Sequence, residues 1–277
     1  MRRQPLLQVL LLACAIAAVG CSSTGSTDTT ADSATGVTST EVQADPAEPP
    51  PEGWDLLWIS NSTGFGAAEL LADRLEADLG VDVHVTDHAV GGQQAMGILS
   101  HLNGEASTDW SDDIRRAEMI VIHGGTGDSG VKDGIEDCKL PSIAETSDPE
   151  VFTVQDLRPF DEVMHAIYDH IWQLRRNEPV VLRSYDIYNY PLADWRRLGT
   201  EDVCTGNFEA FSTVMASTAA QNAGINASVL DSFGGINHDE DPREKGLIDA
   251  DGVHPSPKGT ALIVDTIASL GYETSMP

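Results

Sequence analysis

The stretch "WISNSTGFG" at residues 58–66 joins an apolar run to a helical pattern. Residues 55–60 (DLLWIS) have the short, apolar, β-branched character of a buried strand. Residues 66–80 (GAAELLADRLEADLG) repeat apolar positions at helical spacing. A plain strand-to-helix connection needs one capping residue and a glycine. Two serines, an asparagine and two glycines supply instead an exposed hydroxyl and room for close backbone approach, as a nucleophile requires. Ser62 is the candidate. It is also suited to capping the helix that follows, and the two uses are compatible, since the positive end of a helix favours an alkoxide-like oxygen.

The same alternation continues along the chain. Further strands are expected at 81–89, 119–124, 179–188 and 227–233, and further helices at 93–102, 154–177, 208–224 and 256–271. Strands alternating with helices imply an α/β fold with a mostly parallel sheet covered on both faces. Five strands suit the flavodoxin-like order 2-1-3-4-5, with ligands at the carboxyl ends of the strands where the order reverses.

The loops at those ends carry the unusual residues. Gly91-Gly92 follows strand two, and Gly124-Gly125-Thr126-Gly127-Asp128 follows strand three. "DADGVHPSPKG" (249–259) precedes the last helix and sets Asp251 three residues before His254. A hydroxyl nucleophile needs a base within hydrogen-bond reach and a group that fixes the base's tautomer, and one short loop here holds both. Glycine turns can offer N–H groups to the oxyanion of a tetrahedral intermediate. Turn-forming is the alternative use of each glycine, and Asp128 is assigned no catalytic role. His84 and His88 stand four apart on an expected strand, about 13 Å from each other, too far to share a metal. No metal or organic cofactor is expected.

This ordered set resembles the SGNH/GDSL hydrolase family from about Trp54 to Gly271. The family's Gly-Asp-Ser block is matched by Ser60-Asn61-Ser62, its second-block glycine by Gly92 with Gly91 as the alternative, and its last block by Asp251-Gly252-Val253-His254-Pro255. The resemblance implies a three-layer α/β/α sandwich and serine-dependent ester hydrolysis, with Ser62 as nucleophile, His254 as base and Asp251 as orienter. It places the oxyanion donors at Ser62 and Gly92, and the third at Gly127 or Gly125. Two departures stand out. Asn61 replaces an aspartate, and no asparagine occupies the third block, where the family's side-chain donor sits; its loss would slow the reaction about 10²- to 10³-fold. A silent carbohydrate- or lipid-binding module on the same scaffold is the second reading. The G-x-S-x-G elbow of α/β-hydrolases, nearly matched by residues 60–64, is second among the enzyme readings, because that elbow does not follow a first strand and its acid does not stand three residues before the histidine.

The ends address location. Arg2 and Arg3, the apolar run 6–19 and small residues before Cys21 read as a signal peptide over 1–20, too short for the roughly 20 residues of a membrane span. The four residues ending at Cys21 resemble a bacterial lipobox, implying lipidation of Cys21 and anchoring to the outer face of a bacterial membrane, in the cell envelope. Residues 21–52, rich in Ser, Thr, Asp and Pro, are expected to be a disordered tether, and 53–277 to form one domain. The formal charge of -28 becomes -30 once Arg2 and Arg3 leave with the signal, which disfavours nucleic acid as a partner. An ester of a small molecule, glycan or lipid is the expected substrate, the lipid anchor the sole membrane contact, and a monomer the expected state. Cys138 and Cys204 remain in an exported chain and are expected to form a disulfide beside the loops 133–152 and 189–202. Trp195, Tyr188 and Tyr190 are candidates to line a sugar or acyl site, with packing as the commoner use of such rings.

Overall fold

The computed structural model describes residues 53–125, Cys138 and residues 149–277. The expected signal peptide, Cys21 and the tether, together with Gly127 and Asp128, lie outside the described residues.

The chain builds β1 (Trp54–Ile59), α1 (Ala67–Leu79), β2 (Val83–Asp87), α2 (Ala95–Leu102), α3 (Ser111–Arg116) and β3 (Met119–Ile122). Then follow α4 (Arg158–Arg175), β4 (Val181–Tyr185), α5 (Leu192–Leu198), α6 (Glu201–Gln221), β5 (Ile225–Ala227), α7 (Val229–Gly234) and α8 (Pro257–Ala268). The five strands form one sheet in the order β2-β1-β3-β4-β5. Every neighbouring pair is parallel, with Leu57 beside Ile120, Ile120 beside Leu182 and Ser184 beside Asn226.

Central position explains composition. The strands β3 and β4 are buried along their whole length, whereas β2 at the edge alternates between half-buried and exposed. The chain steps from β1 to β2 in one direction and from β2 across to β3 in the other, so right-handed crossovers put α1 and the α2–α3 pair on opposite faces. On one face α1 packs against α8; on the other α2, α3 and α6 pack against α4. The order reverses between β1 and β3, the place where open parallel sheets receive ligands, and the chemistry-bearing loops emerge at the carboxyl ends of those strands.

Two expectations need correction, and one helix had no counterpart among them. The strand expected at 227–233 is a three-residue strand, β5, followed by α7, because Val229, Leu230 and Phe233 bury one helical face and Ser228 caps the first turn by accepting from Asp231 N–H. The loop at 189–202 contains α5, and α6 starts at Glu201 instead of 208. The helix α3, with Asp112 and Asp113 in its first turn and Arg115 and Arg116 in its last, was too short for periodicity to register.

Candidate active site

Each polar residue after β1 has a separate task. Ser60 is fully buried; its Oγ accepts from the Trp58 indole at 2.8 Å and donates to the Asn61 carbonyl at 3.0 Å. Asn61 caps a 3-10 turn at Ser62–Gly64, its Oδ1 accepting from Thr63 N–H at 2.9 Å and Thr63 Oγ1 at 2.6 Å. Gly64 sits against this polar floor: a Cβ there would stand 2.3 Å from Ser60 Oγ, 2.6 Å from Trp58 Nε1 and 2.7 Å from the Tyr185 hydroxyl. The N-cap of α1 is Gly66, in the left-handed region at φ 73°. Ser62 therefore opens the 3-10 turn and does not cap α1.

The histidine loop is equally determined by local hydrogen bonds. Ile248 bridges Pro255, Asp249 N–H donates to the His254 carbonyl, and Gly252 turns the chain at φ 78°. Asp251 Oδ1 accepts from the N–H groups of Val253 and His254, each at 2.9 Å, and Oδ2 meets His254 Nδ1 at 2.5 Å. The hydrogen bond from His254, followed by those two backbone donors, holds the Asp251 carboxyl down at about 2. An ionised carboxylate only accepts, so Nδ1 carries the proton and Nε2 faces Ser62 as the acceptor. His254 Nε2 lies 2.9 Å from Ser62 Oγ. Support comes from behind: the Tyr188 hydroxyl donates to the Val253 carbonyl, and Arg243 links Gly252 O to the Asp194 carboxylate.

The Gly91-Gly92 turn is drawn alongside. His88 N–H bonds to Trp58 O and Val90 N–H to Ser60 O, extending the edge pairing past β2, and Gln93 N–H closes the turn on Val90 O. Gly92 is at φ 72°. Gly125 follows β3 at φ 67°, where a Cβ would be 2.7 Å from Gln93 O and 3.4 Å from Asn61 Nδ2. A side chain at 125 has no space, so an asparagine could not be restored at that position.

The fold thus gathers Ser62, Asp251 and His254, ties the Gly91-Gly92 turn to Ser60 through Val90, and sets Gly125 against Gln93 and Asn61; Gly127 falls outside the described residues. The roles of Trp58, Ser60, Tyr185 and Arg243 went unanticipated: the Trp58–Ser60 bond is local, but the packing of Tyr185 against Trp58 crosses the sheet and Arg243 links distant loops. The expected disulfide forms, Cys138 to Cys204, with Cα atoms 5.4 Å apart. Among the described residues the aromatic candidates are packed into the core. Tyr188 stacks on Phe233, Tyr190 packs edge-on against Tyr188, Trp195 packs edge-on against Phe208, and all three are buried. His88 bonds to Asp113 and stacks on Trp110, while His84 is exposed on β2.

Comparison with known proteins agrees with this architecture. No curated protein matches the chain. The lipase Lip_vut3 from a goat rumen metagenome is similar in structure, at 16% identity and a TM-score of 0.62 over 79% of this chain and 98% of its own. The extracellular lipase of Streptomyces rimosus gives 12% and 0.53 over 78% and 99%. The lipase/acylhydrolase of Enterococcus faecalis gives 16% and 0.51 over 79% and 95%. At such identities the likeness speaks for the fold. The family model for the GDSL-like lipase/acylhydrolases matches residues 42–262, most of the chain, and the protein belongs to that family of serine ester hydrolases.

Proposed function

We propose that the protein is a membrane-tethered esterase outside the cytoplasm, with Ser62 as nucleophile, His254 as general base and then acid, and Asp251 as orienter. The single observation that carries this reading is the 2.9 Å approach of His254 Nε2 to Ser62 Oγ across 192 residues of sequence. As Ser62 Oγ attacks the ester carbonyl, Nε2 takes the hydroxyl proton, and the Asp251 carboxylate stabilises the imidazolium without accepting its proton. The Ser62 and Gly92 N–H groups hold the oxyanion. Collapse of the tetrahedral adduct breaks the bond to the alcohol oxygen, which leaves with the proton from Nε2. The acyl group stays on Ser62. Water, deprotonated by His254, attacks that acyl-enzyme and releases the acid. Gly127, having no side chain, can contribute only backbone to a third oxyanion position.

Phe65, Val90 and Val253 flank the three elements and keep 53%, 47% and 37% of their surface exposed, which favours an ester with an apolar acyl part. A lipid on Cys21 and a tether through residue 52 would hold the domain 53–277 on the outer membrane surface, and the Cys138–Cys204 disulfide suits that oxidising compartment.

The test uses the full-length protein in detergent. It should hydrolyse short-chain nitrophenyl esters and take up a fluorophosphonate probe. In cells the labelled band should partition with membranes, and Cys21→Ser should move it to the soluble exported fraction. Ser62→Ala should lose labelling and at least about 10³-fold in kcat. A Ser62→Ala variant as active as the parent overturns the assignment.

A further inference from the structure

We infer that the side-chain amide of Asn61 donates the third hydrogen bond to the oxyanion. This rests on the reading of Ser62 as the nucleophile. The amide's orientation follows from its partners: two donors, Thr63 N–H and Thr63 Oγ1, converge on Oδ1, so that atom is the oxygen and Nδ2 faces the other way. On that side it lies 3.4 Å from the point where a Gly125 Cβ would stand, next to the carbonyl of Gln93. Three turns meet there: the one bearing Ser62, the one bearing Gly92, and the one following β3. An oxyanion held between the N–H groups of Ser62 and Gly92 forms beside the same junction.

Among the described residues Nδ2 has no acceptor bonded to it, and Asn61 is only half-buried, so a substrate oxygen can reach it. Glycine at 125 fits this arrangement, because the space a side chain would need is shared by the Gln93 carbonyl and the Asn61 amide. The donor is supplied from residue 61 because it cannot be supplied from residue 125. With Oδ1 pinned by two bonds, the amide is preorganised and needs no reorientation as charge develops.

The experiment compares full-length parent, Asn61→Asp, Asn61→Ala and Ser62→Ala on one ester and on its thiono counterpart, in which sulfur replaces the carbonyl oxygen. Sulfur is a weak acceptor, so a site that donates to this atom favours the oxygen ester. Asn61→Asp keeps the cap to Thr63 and removes the donor. Both Asn61 variants should lose about 10²- to 10³-fold in kcat on the oxygen ester with KM within about threefold of the parent. Their preference for oxygen over sulfur should fall at least about tenfold, whereas melting should drop only for Asn61→Ala. A cap with no catalytic part would lower melting and leave the oxygen-to-sulfur preference at the parent value. Retention of that preference in either Asn61 variant overturns the inference while Ser62→Ala is inactive. An active Ser62→Ala removes the reading beneath it.

Discussion

Gly64 holds the Ser62 turn against the sheet, and its lack of a side chain is the reason it can. The atoms a Cβ would meet are Ser60 Oγ, the Trp58 indole nitrogen and the Tyr185 hydroxyl, all on fully buried residues with no flexible end to swing aside. Gly64→Ala must therefore lift the turn that carries Ser62. Overpacking of this kind costs about 1–3 kcal/mol, and a displacement near 1 Å at reacting atoms costs about 10²-fold in rate. The expected outcome is a lower melting temperature together with a kcat reduced about 100-fold, read by calorimetry and ester hydrolysis. Parent-like values of both would show that the floor yields. At this scale the sequence was partly legible. That Ser62, Asp251 and His254 would meet could be expected because the residue types of each stand within a few residues of loop at the strand ends, and the three side chains do come within hydrogen-bond distance. Ser60 and Tyr185 could not, since a residue after β1 and one at the end of β4 meet only once β3 lies between their strands.

Among the elements, long periodic segments were legible and short ones were not. α1, α4 and α8 bury one stripe against a neighbour and leave that period in the sequence, whereas β5 pairs over three residues and leaves none. The confusion of α7 with a strand has a further cause: its start is set by Asp186, 43 residues upstream, whose Oδ1 accepts from Val229 N–H at 2.7 Å and Leu230 N–H at 3.0 Å. Ser212 Oγ donates to the other oxygen. Burial raises the Asp186 carboxyl from 3.8 to about 6, against the opposing pull of these donors. Between about pH 4 and 6 the folded chain then keeps a proton that the unfolded chain releases. This group's contribution to stability is therefore greatest below that window, falls as pH rises through it, and is constant above. Asp186→Asn keeps an oxygen for the α7 amides and removes the charge. The variant's urea midpoint should gain on the parent's as pH rises from 4 to 6, with an advantage of up to about 3 kcal/mol at neutral pH. Parallel curves for the two proteins would assign the raised proton affinity elsewhere.

At the scale of the whole molecule, order in the sheet was readable from the alternation of elements, but the way the chain after β3 is tied down was not. Cys138 and Cys204 were expected to pair, and they do, yet their partners had no sequence signal. The Cys138 carbonyl accepts from the Trp195 indole at 2.6 Å, and Asn207 donates to Glu150 O at 2.9 Å while accepting from Phe152 N–H at 3.1 Å. The corner between α5 and α6 thus holds Cys138, Glu150 and Phe152 of the chain between β3 and α4, with the disulfide as the covalent part of that grip. Gly125, where that connection starts, stands against the Asn61 amide and the Gln93 carbonyl, so loss of the bridge is expected to affect the Ser62 turn before the sheet. The bridge spans 66 residues, and in the chain-entropy picture such a loop contributes about 4 kcal/mol. The packing of α1 against α8 lies away from it, and although Asn207 Nδ2 also contacts Cys138 Sγ at 3.8 Å, the bonds from Trp195 and Asn207 to the carbonyls of Cys138 and Glu150 use backbone acceptors that reduction leaves in place. Reduction, or the Cys138→Ser/Cys204→Ser pair, should therefore raise KM for the ester at temperatures where far-ultraviolet circular dichroism is unchanged, with melting lowered but still cooperative. If KM and secondary structure are lost together along one transition, the bridge supports the fold as a whole and the Ser62 turn has no separate dependence on it.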